Sequence, residues 1–201
     1  MQEVFYEESA RTLDDKGATR KYNIVRILSI LSYVFLFLWI FISFNFYGLS
    51  GLIVFDILFI LIPAVMFFLT GFFLGKAKNK LYVDYDYTFV TGSIRISTVI
   101  KNIKRKFLFS FETSDIEKLG KYGSELFSKY EQMPGIKKKI LTSNNSPEEG
   151  KSFYYVVANV NSDKHLLILE CTDMFIVNII KFSNKTILDE EFVKELSRSK
   201  R

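Results

Sequence analysis

The stretch ILSILSYVFLFLWIFISF (residues 27–44), followed after a short joint by LSGLIVFDILFILIPAVMFFLTGFFL (residues 49–74), decides what kind of chain this is. The first run holds no charge. Its only polar side-chain atoms belong to Ser29, Ser32, Tyr33, Trp39 and Ser43. The second holds one charge, Asp56, and one proline, Pro63. A helix needs roughly 20 apolar residues to cross a hydrocarbon core ~30 Å thick, and both runs are long enough. Neither alternates as a strand would, and a lone strand hairpin would leave open edges in lipid. Helices of globular proteins keep a polar face, and these have none. The reading is a transmembrane helical hairpin over residues 24–75, with helices at about 24–46 and 50–74.

The joint Asn45-Phe46-Tyr47-Gly48 is too short to hold a domain, so the two helices are expected to be antiparallel neighbours. All 27 Lys and Arg lie outside residues 27–75, five before and the rest after. Basic flanks mark the cytoplasmic side. The expected localisation is therefore the cell membrane, crossed twice, with both termini cytoplasmic and the joint outside. Asp56 sits about a turn and a half inside the outer end and is expected to snorkel toward the headgroups. Gly71 and Gly75 form a small-xxx-small pair for close helix approach, which serves hairpin packing or dimerisation equally well. Pro63 is expected to kink the second helix.

What surrounds the hairpin is unequal. The segment before it, 1–23, is polar, with balanced charge. It reads as a cytoplasmic arm, mobile or lying on the membrane, with a weak helical stripe over residues 2–13. Residues 76–201 alone are long enough to bury a core. They carry the excess positive charge within a net +5 for the chain. That modest excess suits an anionic leaflet better than nucleic acid, which is not expected as a partner. One cysteine, Cys171, excludes an internal disulfide and fits a reducing compartment.

Beyond the basic exit at Lys76, Lys78 and Lys80 the hydrophobic period changes to two. Leu81, Val83, Tyr85, Tyr87 and Phe89 alternate with Tyr82, Asp84, Asp86 and Thr88, which marks a half-buried strand. Thr91-Gly92 is a tight turn, and residues 93–100 form the next strand. Lys101, Lys104, Arg105 and Lys106 fall in one basic segment, after which Phe107, Phe109 and Phe111 share an inward face. A shorter strand at 114–119 follows. Residues 120–150 are rich in turn formers, with a helical turn near 124–130; Lys137, Lys138 and Lys139 begin a short strand or an exposed basic segment. Strands return at 153–160, 166–171 and 174–180. A C-terminal helix at about 186–198 follows, with Asp189 as N-cap.

Seven or so short antiparallel strands closed by a C-terminal amphipathic helix is the layout of PH-like domains. The segment Asp84-Tyr85-Asp86-Tyr87-Thr88-Phe89-Val90-Thr91-Gly92-Ser93-Ile94-Arg95-Ile96, with Lys104-Arg105-Lys106 and the strand after it, resembles an uncharacterised Gram-positive bacterial family. Its members are two-helix membrane proteins with a cytoplasmic PH-like domain. The resemblance implies an α+β membrane protein: an antiparallel two-helix hairpin, then a PH-like antiparallel β-sheet or barrel with its C-terminal helix, spanning 76–201. It implies no reaction.

Nor do the residues suggest one. His165 is the only histidine and reads as a surface strand residue; Cys171 reads as a buried or semi-buried thiol. Asp84 and Asp86 share what reads as a solvent-facing strand face. Metal sites built from several His and Cys are excluded by number, and no phosphate-cradling glycine motif is present. No cofactor, metal or enzymatic activity is expected. The basic residues carry the functional reading. Lys76, Lys78 and Lys80 follow the membrane directly, and Lys101, Lys104, Arg105, Lys106, Lys137, Lys138 and Lys139 are candidates to face anionic lipid headgroups. The expectation is a membrane-anchored, non-enzymatic interaction module that binds a protein partner or anionic lipid. The alternative is a small accessory subunit of a transporter or channel complex. Homo-oligomerisation stays open.

Overall fold

The computed structural model describes residues 4–46, 53–183, 186–189 and 192–193. The chain divides into two units: Asp14–Tyr82, and Met1–Leu13 with Val83–Arg201.

The first unit is a helical pair, α1 (Asp15–Ser43) and α2 (Ile53–Ala77). Asp14 caps α1 by accepting from the Gly17 amide at 2.9 Å. Both helices are long and apolar enough to cross a membrane, and most of their large apolar side chains are exposed. The buried positions are small or polar: Ala18, Ser29, Ser32, Ser43, Asp56 and Gly71. Close approach is thus made by small residues, as in helix pairs that have no water to drive them together. A Cβ on Gly71 would lie 2.9 Å from the Tyr33 ring, and one on Gly75 would lie 3.3 Å from Ser29 Oγ. Ser29 Oγ donates to the Gly71 carbonyl at 2.8 Å, and Trp39 Nε1 donates to the Ile60 carbonyl at 3.3 Å. The glycine pair is therefore used inside the hairpin. Pro63 lies within α2 without ending it. Asp56 is buried at 9% exposure, unlike the outward-reaching side chain expected of it.

The second unit is two four-stranded sheets. Strand β1 (Phe5–Ala10), β2 (Val83–Val90), β3 (Ser93–Ile100) and β4 (Lys104–Glu112) pair antiparallel in that order. The other sheet comprises β5 (Ile116–Lys121), β6 (Lys137–Ile140), β7 (Ser152–Val160) and β8 (Asp163–Cys171), in the order β5-β7-β8-β6, with β6 parallel to β8. Between β5 and β6 lies α3 (Glu125–Gln132), and after β8 comes α4 (Asp173–Phe182).

One core lies between the sheets: Tyr87, Phe89, Ile94, Ile96, Phe109 and Phe111 from one, Tyr154, Val156, Leu167 and Leu169 from the other. Phe175, Ile176 and Ile179 of α4 join it. A second cluster places Tyr155, Val157, Leu166 and Ile168 under Phe127 of α3. Both faces of β7 and β8 are thus covered, which is why those strands read as continuous apolar runs.

Three expectations are corrected here. The N-terminal segment, expected to be a mobile or membrane-lying arm with a short helix, contains β1, registered from Phe5↔Val90 to Ala10↔Tyr85. Residues 174–180, expected as a strand, belong to α4. A short apolar run does not distinguish strand from buried helix by composition; Phe175, Ile176 and Ile179 take helical spacing on one face. Its N-cap residue Thr172 is held by Glu8, whose carboxylate accepts from Thr172 N at 2.8 Å and Thr172 Oγ1 at 3.0 Å. Residues 137–140 form a strand, but one parallel to its neighbour. Of the helix expected at 186–198, residues 186–189 are not helical, Leu188 instead bridging Leu119 in parallel, while Phe192 and Val193 are helical and Val193 N donates to the Asp189 carbonyl at 3.0 Å; the other residues of that segment lie outside the described residues, as do Tyr47 and Gly48 of the joint.

Candidate functional site

The β3–β4 turn takes a left-handed backbone at both of its central residues. Lys101 and Asn102 both have positive φ, 50° and 54°, and Ile103 N closes the turn on the Ile100 carbonyl at 3.1 Å. Asparagine tolerates that region; lysine in it is uncommon. Ile103 follows, 82% exposed, and Lys104 and Lys106 are exposed beside it. The register places this turn at one particular end of its sheet. Ile100 pairs with Val83 and Lys104, and Ala10 pairs with Tyr85. Ala10 and Val83 are the residues at which the chain leaves the sheet for the helices and returns from them.

The other basic candidates divide by partner. Lys76 Nζ lies 4.2 Å over the Phe72 ring, Lys78 Nζ lies 5.9 Å over the Tyr22 ring, and Lys80 is exposed in the short turn that follows α2. Arg105 is drawn across its sheet: its Nη2 lies 3.1 Å from Glu7 and 2.7 Å from Asp86. Lys137 pairs with Asp163, whose carboxyl it holds below the usual range, and Lys138 pairs with Glu131. Lys139 lies 4.3 Å over the Phe109 ring. These three lysines fasten β6 to its surroundings, whereas Lys104 and Lys106 stand exposed beside the β3–β4 turn.

Asp84 and Asp86 are buried, 3% and 4% exposed, where sequence placed them on a solvent-facing surface. Strand β1 covers them. Thr12 N and Oγ1 donate to Asp84 at 2.7 and 2.8 Å, and Ser9 Oγ donates to Asp86 at 2.6 Å. His165 is also buried, 5% exposed, with its ring stacked 6.4 Å from Phe109 and its Nδ1 3.0 Å from the Asp163 carbonyl oxygen. Cys171 is buried, and burial pushes its thiol well above the ordinary range, as expected of an inert core thiol.

Two features escaped sequence reading. Glu170, fully buried, accepts from Thr142 Oγ1, from Asn144 Nδ2 at 2.8 Å and from Glu148 N at 2.8 Å. Asn144 in turn donates to the Arg11 carbonyl at 2.7 Å and accepts from Leu13 N at 2.9 Å. The carboxylate thus ties the 142–148 segment to the chain leaving β1. The second feature is the outer face of the β1–β4 sheet. The register shifts between Ile96 and Ser97, where Leu108 is the extra residue of a β-bulge. Phe107 is thereby turned outward, 54% exposed, instead of sharing the inward face of Phe109 and Phe111. With Phe5, 66% exposed on β1, it flanks a groove of about 670 Å³ lined by Glu7, Thr88, Arg95, Ser97 and Arg105. An isolated arginine among the small polar residues of β3 was the one sequence sign of it.

Two sheets about one core, with a closing amphipathic helix, turns and strand faces presented to solvent, define the class: a PH-like β-domain, here carrying two apolar helices. Families of such domains are typically non-catalytic. Residues 3–189 match the family described as Bacterial PH-like domain (DUF6106), and the chain belongs to it. Comparison with curated proteins and with solved structures gives no match.

Proposed function

We propose that the protein is a non-enzymatic interaction module of the cell membrane. Its helical pair spans the bilayer with both termini cytoplasmic, and its PH-like domain works at the cytoplasmic face, touching anionic headgroups through the β3–β4 turn. The observation that carries this reading is the turn itself. Two exposed lysines, Lys104 and Lys106, with Lys101 in the turn itself, accompany an exposed isoleucine at the sheet end from which the chain runs into the helices. Each cation near an anionic surface adds ~1 kcal/mol, so the two exposed lysines together supply ~2 kcal/mol, and Ile103 adds apolar contact.

The test uses the whole chain reconstituted in vesicles. A solvent-sensitive dye on Ile103→Cys, in a Cys171→Ser background, is expected to shift to the blue and be quenched by lipid-borne quenchers when anionic lipid is present. Lys104→Glu with Lys106→Glu should abolish both changes. Identical spectra in anionic and neutral vesicles would refute lipid contact. The accessory-subunit reading draws support from an apolar hollow of about 650 Å³ on the helices, lined by Phe46, Phe55, Asp56, Phe59 and Pro63, suited to a further helix. Stoichiometric co-purification of a transporter with the full chain would favour it; a lone protein would count against it.

A further inference from the structure

We propose that the outer face of the β1–β4 sheet binds an extended acidic peptide segment of a partner protein, with Arg95 taking its carboxylate and Phe107 and Phe5 its flanking apolar side chains. This deepens the interaction-module reading and rests on it, naming the class of protein partner.

Arg95 is exposed and in the middle of the groove, and it forms no hydrogen bond or ion pair with any described residue. Its guanidinium contacts only the Phe107 ring, 6.0 Å from the centroid. Arg105 differs, since Glu7 and Asp86 already hold it. Glu7, the acid that also lines the groove, is held on Arg105, which leaves Arg95 as the groove's cation without an acidic partner among the described residues, over a floor of Thr88 and Ser97 and between two exposed rings. A planar guanidinium stacked on a ring still presents its edge donors for a bidentate carboxylate.

The spacing selects a peptide over a small ion. Phe107 is one strand from Arg95 and two residues to one side, since it pairs with Ser97. Phe5 is two strands away and two residues to the other side, since it pairs with Val90 while Arg95 pairs with Thr88. The three positions lie on one diagonal, with Arg95 about 8 Å from Phe107 and about 12 Å from Phe5 at ordinary strand spacings. An extended peptide presents same-side residues every ~6.6 Å. An apolar residue at one position, an acidic residue two further on and an apolar residue four beyond that match the groove. A simple anion would reach Arg95 and neither flank.

The full chain in neutral-lipid nanodiscs is titrated into a dye-labelled, acetylated and amidated heptapeptide, and anisotropy is read. The peptide has leucine at both ends, glutamate third and serine elsewhere; a second version has glutamine third. The glutamate peptide should bind. The glutamine version and Arg95→Ala should each weaken binding about tenfold, the share of one charge-assisted contact. Phe5→Ala and Phe107→Ala should also weaken it. All three side chains are exposed, so thermal unfolding of the variants should match the parent. Lys104→Glu with Lys106→Glu should bind the peptide normally, which separates this site from the lipid-facing turn. No binding, equal binding of the two peptides, an unaffected Arg95→Ala, or displacement by equimolar inorganic phosphate would each overturn the proposal.

Discussion

Replacing Glu170 should loosen the β-domain at a place distant in sequence. A hydrogen bond to a charged group stabilises by about 1.5–3 kcal/mol net. Glu170 accepts from Thr142, Asn144 and the Glu148 amide, and its own amide donates to Tyr87 Oη at 3.3 Å. Thr142 is buried, 8% exposed, so its share is lost in full; Asn144 and Glu148 regain water in part. Glu170→Ala should therefore cost about 3–5 kcal/mol. At ~2–4 °C per kcal/mol for a chain of this size, unfolding in detergent should fall by on the order of 10 °C. Glu170→Gln keeps the shape but turns an amide toward one donor, and should lose roughly half as much. Hydrogen exchange gives the sharper signature: because Asn144 holds Leu13 N, the Leu13 amide should lose protection together with the 142–148 segment. A loss below about 1 kcal/mol, or an unchanged Leu13 amide, would refute the argument that this carboxylate organises both segments.

Arg105→Ala leaves buried Asp86 without its cation and should destabilise by about 1–3 kcal/mol, with Lys104→Ala neutral by comparison; equal effects in thermal unfolding would contradict the division between them. Gly71→Ala drives a methyl into Tyr33 and should cost about 1–3 kcal/mol in the hairpin, read as a lowered denaturation midpoint in micelles, whereas Gly75→Ala meets only Ser29 Oγ and should cost less. Burial, opposed by the Thr172 bonds, raises the Glu8 carboxyl above the usual carboxylate range. The folded state then holds a proton that the unfolded chain has released, so stability falls as pH rises from the unfolded value through the folded one. Glu8→Gln should remove that slope in unfolding measured across mildly acidic pH; a slope persisting unchanged would show another group responsible.

How much was legible depended on whether a signal was local. The helices announced themselves through uncharged runs, and β2, β3, β7 and β8 through their alternation or unbroken apolarity. The turn read at Thr91-Gly92 appears, as does one at Asn161-Ser162, with positive φ at all four residues, a backbone that Gly92 and Asn161 accept readily. What failed was non-local. Glu7, Glu8 and Ser9 look like a solvated arm until β2 is beside them. Asp84 and Asp86 look exposed until Ser9, Thr12 and Arg105 reach across. His165 sits at a strand start that Phe109 of the other sheet covers. Phe107 was misplaced by one inserted residue, because a bulge reverses parity without changing composition. The outer groove shares that cause: no window along the chain contains Phe5, Arg95 and Phe107 together.

The position of the helices between β1 and β2 limits how this protein can be made and processed. During synthesis the first strand must wait, unpaired, until the whole hairpin has been threaded and its neighbour appears. Once folded, a protease cutting after the second helix would free a fragment stripped of its edge strand, with β2's backbone groups bare and prone to adhere to other chains. Shedding the β-domain with all its strands needs two cuts and retention of a severed strand. One cut, sufficient to release a domain whose anchor sits at one end, is not enough in this architecture.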